Sequence, residues 1–394
     1  MLKVGARYAL LHTDITWPVH ALRVAFADSP YGPWGPSTDA FTLKGSDSPV
    51  AVYEGGAWLI TFFDDSRTPH LYRTRDFWEY TDFGTVPAPL SGWLAPKPLF
   101  RDPVHDGAAD PVLVFHRARK QWWMFYTNRR ANVPGLPGVA WVHGTRIGIA
   151  CSGDGGAHWQ YRGTAEIPYG TAEYTHWAPD IVDYGGVYHM YLSIVPGIFE
   201  NWNAAREIIH LTSTDLEKWT FESRLELGSD RVIDPTVARL PDGTWRMWYK
   251  NERARDGSLY YADSSDLAHW TSKGNAIPGV AGEGPKVFSW QGSYWLIADV
   301  WDGFAVFRSS DCLNWTRQQG NLLKEPGTIE TDRYKGNHAD VVVNGSRAWL
   351  FYFVHQPGDQ EQRKHTVLQV VELKYREGLL GADRNQETRV ALKL

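Results

Sequence analysis

The stretch YTHWAPDIVDYGGVYHMYLS, residues 174–193, decides how the whole chain is read. A polar entry broken by Pro179 and carrying His176 and Asp180 runs directly into alternating apolar and aromatic residues, with a Gly-Gly pair in the middle. Period-two alternation on both sides of a glycine turn predicts a β-hairpin. Its first strand begins at a carboxylate, and a charge at the edge of a buried strand is costly unless it is paired or used.

The hairpin is one copy of a module. A short apolar strand, a glycine-containing or polar turn, a Trp/Tyr-rich strand and a third strand ending in Ser/Thr, Asp and Trp return with starts near residues 49, 110, 180, 234, 283 and 338. The last copy keeps the strands and loses the Asp–Trp turn. Such a unit cannot hide both of its faces, whereas several stacked round an axis can, which predicts an all-β protein with a five- or six-bladed β-propeller. The blade number stays open because the first module is compressed. Residues 1–47 are expected to form an N-terminal arm or closure segment, and 48–394 a single propeller domain that carries the site.

The recurring turn has a structural meaning. Asp76, Asp154, Asp215, Asp266 and Asp311 are placed to accept backbone N–H bonds after the third strand, and Trp78, Trp159, Trp219, Trp270 and Trp315 to fill the space between sheets. SGDGGAHW at 152–159 matches the box of sialidase-like propellers, which also marks a turn.

Composition agrees with many short strands: aromatics make up 14% of the chain, with 20 Trp and 19 Tyr. Forty basic against forty-five acidic side chains, without long runs of either sign, argue against a nucleic-acid partner. The two cysteines, Cys151 and Cys312, are too few for a disulfide framework. No stretch approaches 18 apolar residues, so no membrane span is expected, and a start without an apolar leader leads to the expectation of a cytoplasmic enzyme. The oligomeric state is not legible.

In a propeller the first strand of each blade lines the central channel, so polar groups at first-strand starts converge from far apart in sequence. Asp110, Asp180, Asp234, Glu283 and His338, with Asp340 close behind, are the candidates. Several carboxylates brought together make sense where one keeps its proton while another is ionised. Glycosidic cleavage needs that division: an acid protonates the leaving oxygen while a base or nucleophile acts at the anomeric carbon. Residues just past a second strand are placed to reach the same site: Arg129 and Arg130, Lys250 and Glu252, Asp299 and Trp301. His176 and Trp177 precede the APD motif, where a Trp face can stack on a sugar.

ADPVLVF at 109–115, HWAPDIV at 176–182, EGPKVF at 283–288 and NHADVVV at 337–343 resemble glycoside hydrolase family 43 and its propeller relatives, which include the family 117 anhydro-galactosidases. The resemblance covers most of residues 48–355. It implies an inverting exo-acting hydrolase, arabinofuranosidase- or xylosidase-like, that releases a terminal pentose or related sugar from an oligosaccharide. By this resemblance Asp110 is the general base, Asp180 orients substrate and adjusts the acid's pKa, Glu283 is the general acid and His338 contributes at the floor. A whole module beginning IDPTV at 233–237 intervenes before EGP, so Asp234 is the substitute acid.

Two other readings compete: an anhydro-sugar glycosidase or a glycoside phosphorylase, with Arg129, Arg130 and Lys286 as a phosphate wall, and a non-catalytic carbohydrate-binding propeller. No cofactor is expected to be required. His176, Asp180, His338 and Asp340 offer hard ligands for a structural Ca2+ on the axis, without the compact spacing of a transition-metal site.

Overall fold

The computed structural model describes the chain apart from residues 15–20, 41–46, 55, 65–68, 86–91, 359–361 and 394. The described residues are all-β, with three single-turn 3-10 helices at Ala140–Val142, Glu330–Asp332 and Gln362–Lys364. None of these helices is long and apolar enough to cross a membrane. Two compact units divide the chain, Met1–Leu90 and Ser91–Leu394.

The first unit holds two four-stranded antiparallel sheets, each in sequential order. Leu2–Val4, Arg7–Asp14, Ala21–Ala27 and Thr38–Asp39 make one; Asp47–Glu54, Ala57–Phe63, Pro69–Thr74 and Tyr80–Thr85 make the other. Leu22, Val24, Ile60, Phe62 and Phe77 share one apolar core. This corrects two expectations. Four strands between Leu2 and Asp39 form a sheet where an irregular arm was expected, and the module starting near 49 shares a unit with that sheet, so the expected boundary at 47/48 falls inside a unit. Gly55 of that module's turn and its Asp65 lie outside the described residues.

The second unit holds five four-stranded antiparallel sheets, also in sequential order. Their first strands are Ala108–His116 (sheet I), Thr175–Tyr184 (II), Val232–Arg239 (III), Glu283–Trp290 (IV) and Asn337–Asn344 (V). Each first strand packs beside the next, and V returns to I, so the five make a ring. Second strands such as Gln121–Asn128 lie between two partners and bury aromatics on both faces, with Trp123, Phe125 and Tyr126 fully covered. The start and end of the unit are tied by pairing of Trp93–Leu94 with Arg389–Val390.

One backbone irregularity recurs in every first strand. Pairing with the second strand slips between Ala109 and Val112, Trp177 and Asp180, Ile233 and Thr236, Glu283 and Lys286, and Asn337 and Ala339. The residue at each slip has positive φ: Asp110 (51°), Ala178 (35°), Asp234 (58°), Gly284 (52°) and His338 (20°). In the first four the next residue is proline, which has no N–H to give to a ladder and settles at bulges. A bulge re-aims the strand start.

The turns after the third strands follow the expected chemistry. Asp215 Oδ1 accepts from the N–H groups of Glu217 and Lys218, Asp266 from Ala268 and His269, and Asp311 from Leu313 and Asn314. The tryptophans then reach the preceding sheet: Trp219 meets Phe125 edge-on at 6.1 Å, Trp270 meets Tyr191 at 5.4 Å and Trp315 meets Trp248 at 6.3 Å. Trp78, in the first unit, departs from this. It is 62% exposed and stacks on Phe26 at 5.0 Å.

Candidate active site

A cavity of about 300 Å³ opens where the first strands start. Asp110, Asp234 and His338, the bulge residues of sheets I, III and V, line it together with Glu283, which precedes the bulge of sheet IV. Gly284 leaves its bulge without a side chain for a steric reason: a Cβ there would lie 2.6 Å from the His338 ring. The main chain therefore comes close enough for Gly284 N–H to donate to Asp234 Oδ2 at 3.1 Å. The Asp234 N–H in turn donates to Ser193 Oγ at 2.9 Å.

Each acid has its own surroundings. Asp110 Oδ1 accepts from Arg129 at 3.4 Å and lies 3.5 Å from His338 Nδ1. Arg129 is held by its guanidinium over Phe353, 4.5 Å from the ring centre. Glu283 accepts from Lys250 Nζ at 2.7 Å and from the Trp301 indole N–H at 3.0 Å. Lys250 also contacts Glu252, 3.3 Å away, and Glu252 pairs with Arg206 at 3.1 Å. Asp234 has no cation in contact among the described residues, and burial, then the charges of Glu283 and Asp110, push its carboxyl up from 3.8 to about 7 in spite of His338. Burial and Glu283 also raise Asp299, to about 6. Asp299 lies behind the wall, where it accepts the N–H groups of Trp301 (2.7 Å) and His338 (3.1 Å) and fixes both.

Aromatic faces complete the wall. The Trp177 indole donates to Val142 O at 2.7 Å, which fixes its ring under the Arg206 guanidinium. Trp202 and Trp301 are half exposed at the mouth. Lys250, Glu252, Arg129 and Trp301 reach the cavity because second strands run antiparallel to first strands and end beside their starts; Lys250 pairs with Ile233 in register. Trp202 and Arg206 were not anticipated. They follow the second strand of sheet II, Val187–Val195, so the rule that found Lys250 and Trp301, applied to a longer loop, points to them.

Two expected site residues lie elsewhere. Asp180 sits two positions past its bulge, under the cavity, where Oδ2 accepts the Val237 N–H at 2.7 Å and Oδ1 the Lys286 ammonium at 3.0 Å. A residue two places on along a strand is one layer deeper, so Asp180 does not face the cavity. His176 points to the opposite side from Trp177, into a separate cleft with Arg146 and Tyr169, and burial drives its ring down to about 3. The supposed phosphate wall also separates, since Lys286 is clamped between Asp180 and Asp340 and Arg130 donates to Ala140 O. Of the four hard ligands named for an axial ion, His338 lines the cavity, His176 lines the separate cleft, and Asp180 and Asp340 both pair with Lys286. Among the described residues no three His, Cys, Asp or Glu side chains are grouped to hold a metal ion.

The comparisons with known proteins follow the same lines. A family profile described as glycosyl hydrolases family 43 matches residues 154–377. Solved structures similar to this chain include a thermostable family-43 glycoside hydrolase, at 18% identity and a TM-score of 0.55 over 75% of this chain and 98% of its own. A Xanthomonas citri enzyme of subfamily GH43_1 complexed with xylotriose aligns at 14% identity and 0.54, over 76% and 97%. A family-43 β-1,3-galactosidase with galactodeoxynojirimycin aligns at 14% and 0.54, over 75% and 98%. No curated protein matches the sequence.

Proposed function

This chain belongs to glycosyl hydrolases family 43 and is a glycoside hydrolase; from that premise we propose that it releases a terminal pentose from an oligosaccharide with inversion, in the central cavity of a five-bladed propeller formed by residues 91–394. The observation that carries the reading is the convergence of Asp110, Asp234 and Glu283, from three separate sheets, on one small cavity. A cavity of about 300 Å³ has room for little more than one sugar unit, which supports exo action. The xylotriose complex of the Xanthomonas citri relative supports a pentose.

Asp110 serves as the base. Arg129 and His338 fix its Oδ1, and a water between it and the anomeric carbon loses its proton to the carboxylate as the C–O bond forms. Glu283 serves as the acid, giving a proton to the glycosidic oxygen as that bond breaks, with the Trp301 indole and Lys250 holding the side chain at the mouth. Asp234, next to the Glu283 main chain, takes the part first expected of Asp180: it fixes the acid's backbone and acts on its charge. The first strands of sheets I and IV are not neighbours in the ring. This favours a base and acid far enough apart to admit a water, the arrangement of inverting enzymes.

Hydrolysis of xylobiose and of an aryl xyloside by Asp110→Asn and Glu283→Gln tests the roles. Asp110→Asn is expected to lose about 10²–10⁴-fold on both substrates. Glu283→Gln loses as much on xylobiose and less on the aryl xyloside, whose leaving group needs little protonation. Near-normal rates in both variants would remove these roles, and NMR of the first-formed anomer checks inversion.

A further inference from the structure

Each bulge has a second-strand residue opposite the position just before it. Thr127 faces Ala109, Ser193 faces Trp177, Lys250 faces Ile233, Asp299 faces Glu283 and Phe353 faces Asn337. Around the ring this position latches one sheet to the bulge of the next. Thr127 Oγ1 accepts the Ala178 N–H at 2.9 Å, Ser193 Oγ the Asp234 N–H at 2.9 Å and Asp299 Oδ2 the His338 N–H at 3.1 Å. Lys250 departs from the series: the Gly284 N–H goes to Asp234 instead, and the lysine donates to the Glu283 carboxylate. Phe353 offers no acceptor and packs against the Arg129 guanidinium.

Two of the three acceptors are neutral hydroxyls, so a serine is enough for the latch. A carboxylate at 299 is the harder group to bury: it is 2% exposed, and among the described residues no ammonium or guanidinium pairs with it. Burial, followed by the charge of Glu283, raises it to about 6. What the carboxylate adds over a hydroxyl is a second oxygen. Oδ1 accepts the Trp301 N–H at 2.7 Å, in a turn where Trp301 takes a φ of 57°, a conformation that a bulky residue seldom adopts without support. From that turn the Trp301 indole donates to Glu283 Oε1 at 3.0 Å, and its ring centre lies 5.2 Å from the Lys250 ammonium.

Resting on the hydrolase reading, we propose that Asp299 is a positioning residue for the acid. One oxygen makes the latch that Thr127 and Ser193 make elsewhere in the ring; the other fixes the Trp301 turn and, through the indole, the Glu283 carboxyl. The acid and the His338 bulge beside the base thereby depend on one side chain.

Asp299→Ser separates the two arms, since it copies Ser193: it keeps an acceptor for the His338 N–H and loses the one for Trp301. The variant is expected to lose about 10²-fold in kcat on xylobiose, with KM little changed. On an aryl xyloside, whose leaving group needs little protonation, the loss is expected to stay below about threefold. Trp301→Phe is expected to show the same split, and the double variant to lose no more than the worse single one. A general weakening of the fold spares neither substrate, so equal losses on the two in Asp299→Ser, or losses that multiply in the double variant, overturn the inference. If Asp299→Ser does not fold, Trp301→Phe decides: the split supports the inference, and an equal loss or none overturns it.

The NMR resonance of the Trp301 indole N–H, assigned by its absence from Trp301→Phe, reads the same contact without turnover. It is expected to move in Asp299→Ser and in Glu283→Gln, and an unmoved resonance in Asp299→Ser sinks the inference. If the wild type cleaves neither substrate while the resonance moves in both variants, the positioning of Glu283 by Asp299 stands and the proposed reaction falls.

Discussion

Asp234 owes its chemistry to a backbone choice. The positive φ at the bulge turns the side chain inward, where burial and two neighbouring carboxyl groups raise it from 3.8 to about 7. Between those pH values the folded chain keeps a proton that the unfolded chain has released, so stability falls as pH rises through that window. Asp234→Asn removes the linkage. Relative to the wild type, the variant's urea midpoint is expected to climb from pH 4 to pH 7, and parallel midpoint curves would contradict the raised carboxyl. Asp110 and Asp234 were legible because each acid stands directly before a proline. Asp180 was misplaced by lining up the modules on their acids; aligned on Pro111, Pro179, Pro235 and Pro285, the chain puts Asp180 and Lys286 at one depth and Asp110 and Asp234 at another. Which acid faces the cavity depends on this two-residue offset along the strand, and the bulge fixes it.

The Asp–Trp turn is the element that carries information between sheets. In sheet II the Leu216 backbone takes a positive φ, its N–H donates to Ser213 Oγ, and Asp215 caps the next two N–H groups, all of which aims Trp219 at sheet I. Trp219 is 6% exposed within the core of Trp123, Phe125 and Leu216. Truncation there leaves a cavity between two sheets, so Trp219→Ala is expected to cost about 3–5 kcal/mol in chemical denaturation. Trp78→Ala, in the same motif but mostly exposed, is expected to cost about 1 kcal/mol or less. Equal losses at the two positions would show that the motif, not the burial, sets the energy. Strands with this turn were readable as a repeated unit. The sheet over residues 2–39 was not, because its third strand, Ala21–Ala27, runs into DSPYGPW and lacks the Ser/Thr-x-Asp box. The Trp93–Leu94 pairing with Arg389–Val390 was also beyond reach, being two residues long and bridging nearly the whole unit.

Across the second unit, one buried network touches all five sheets. Lys286 of sheet IV donates to Asp180 of sheet II (3.0 Å) and lies 2.9 Å from Asp340 of sheet V; Asp180 accepts the Val237 N–H of sheet III, and Asp340 accepts the Leu113 N–H of sheet I at 2.7 Å. Burial works against the ammonium, but the two carboxylates outweigh it and hold Lys286 above its ordinary range. The network fills the layer directly beneath Asp110, Asp234 and Glu283, and Lys286 shares a strand with Glu283. Lys286→Met leaves two buried carboxylates facing each other without a counter-charge, a loss expected to be about 3–5 kcal/mol. The triple variant Asp180→Asn, Lys286→Met, Asp340→Asn removes the charges while keeping amide oxygens for the Val237 and Leu113 N–H groups, and is expected to recover most of that loss. Urea unfolding of the three proteins measures both steps. A cost below about 1 kcal/mol for Lys286→Met, or a triple variant no more stable than the single one, would mean that apolar packing between the sheets, rather than this ion network, holds the ring and the floor of the active site together.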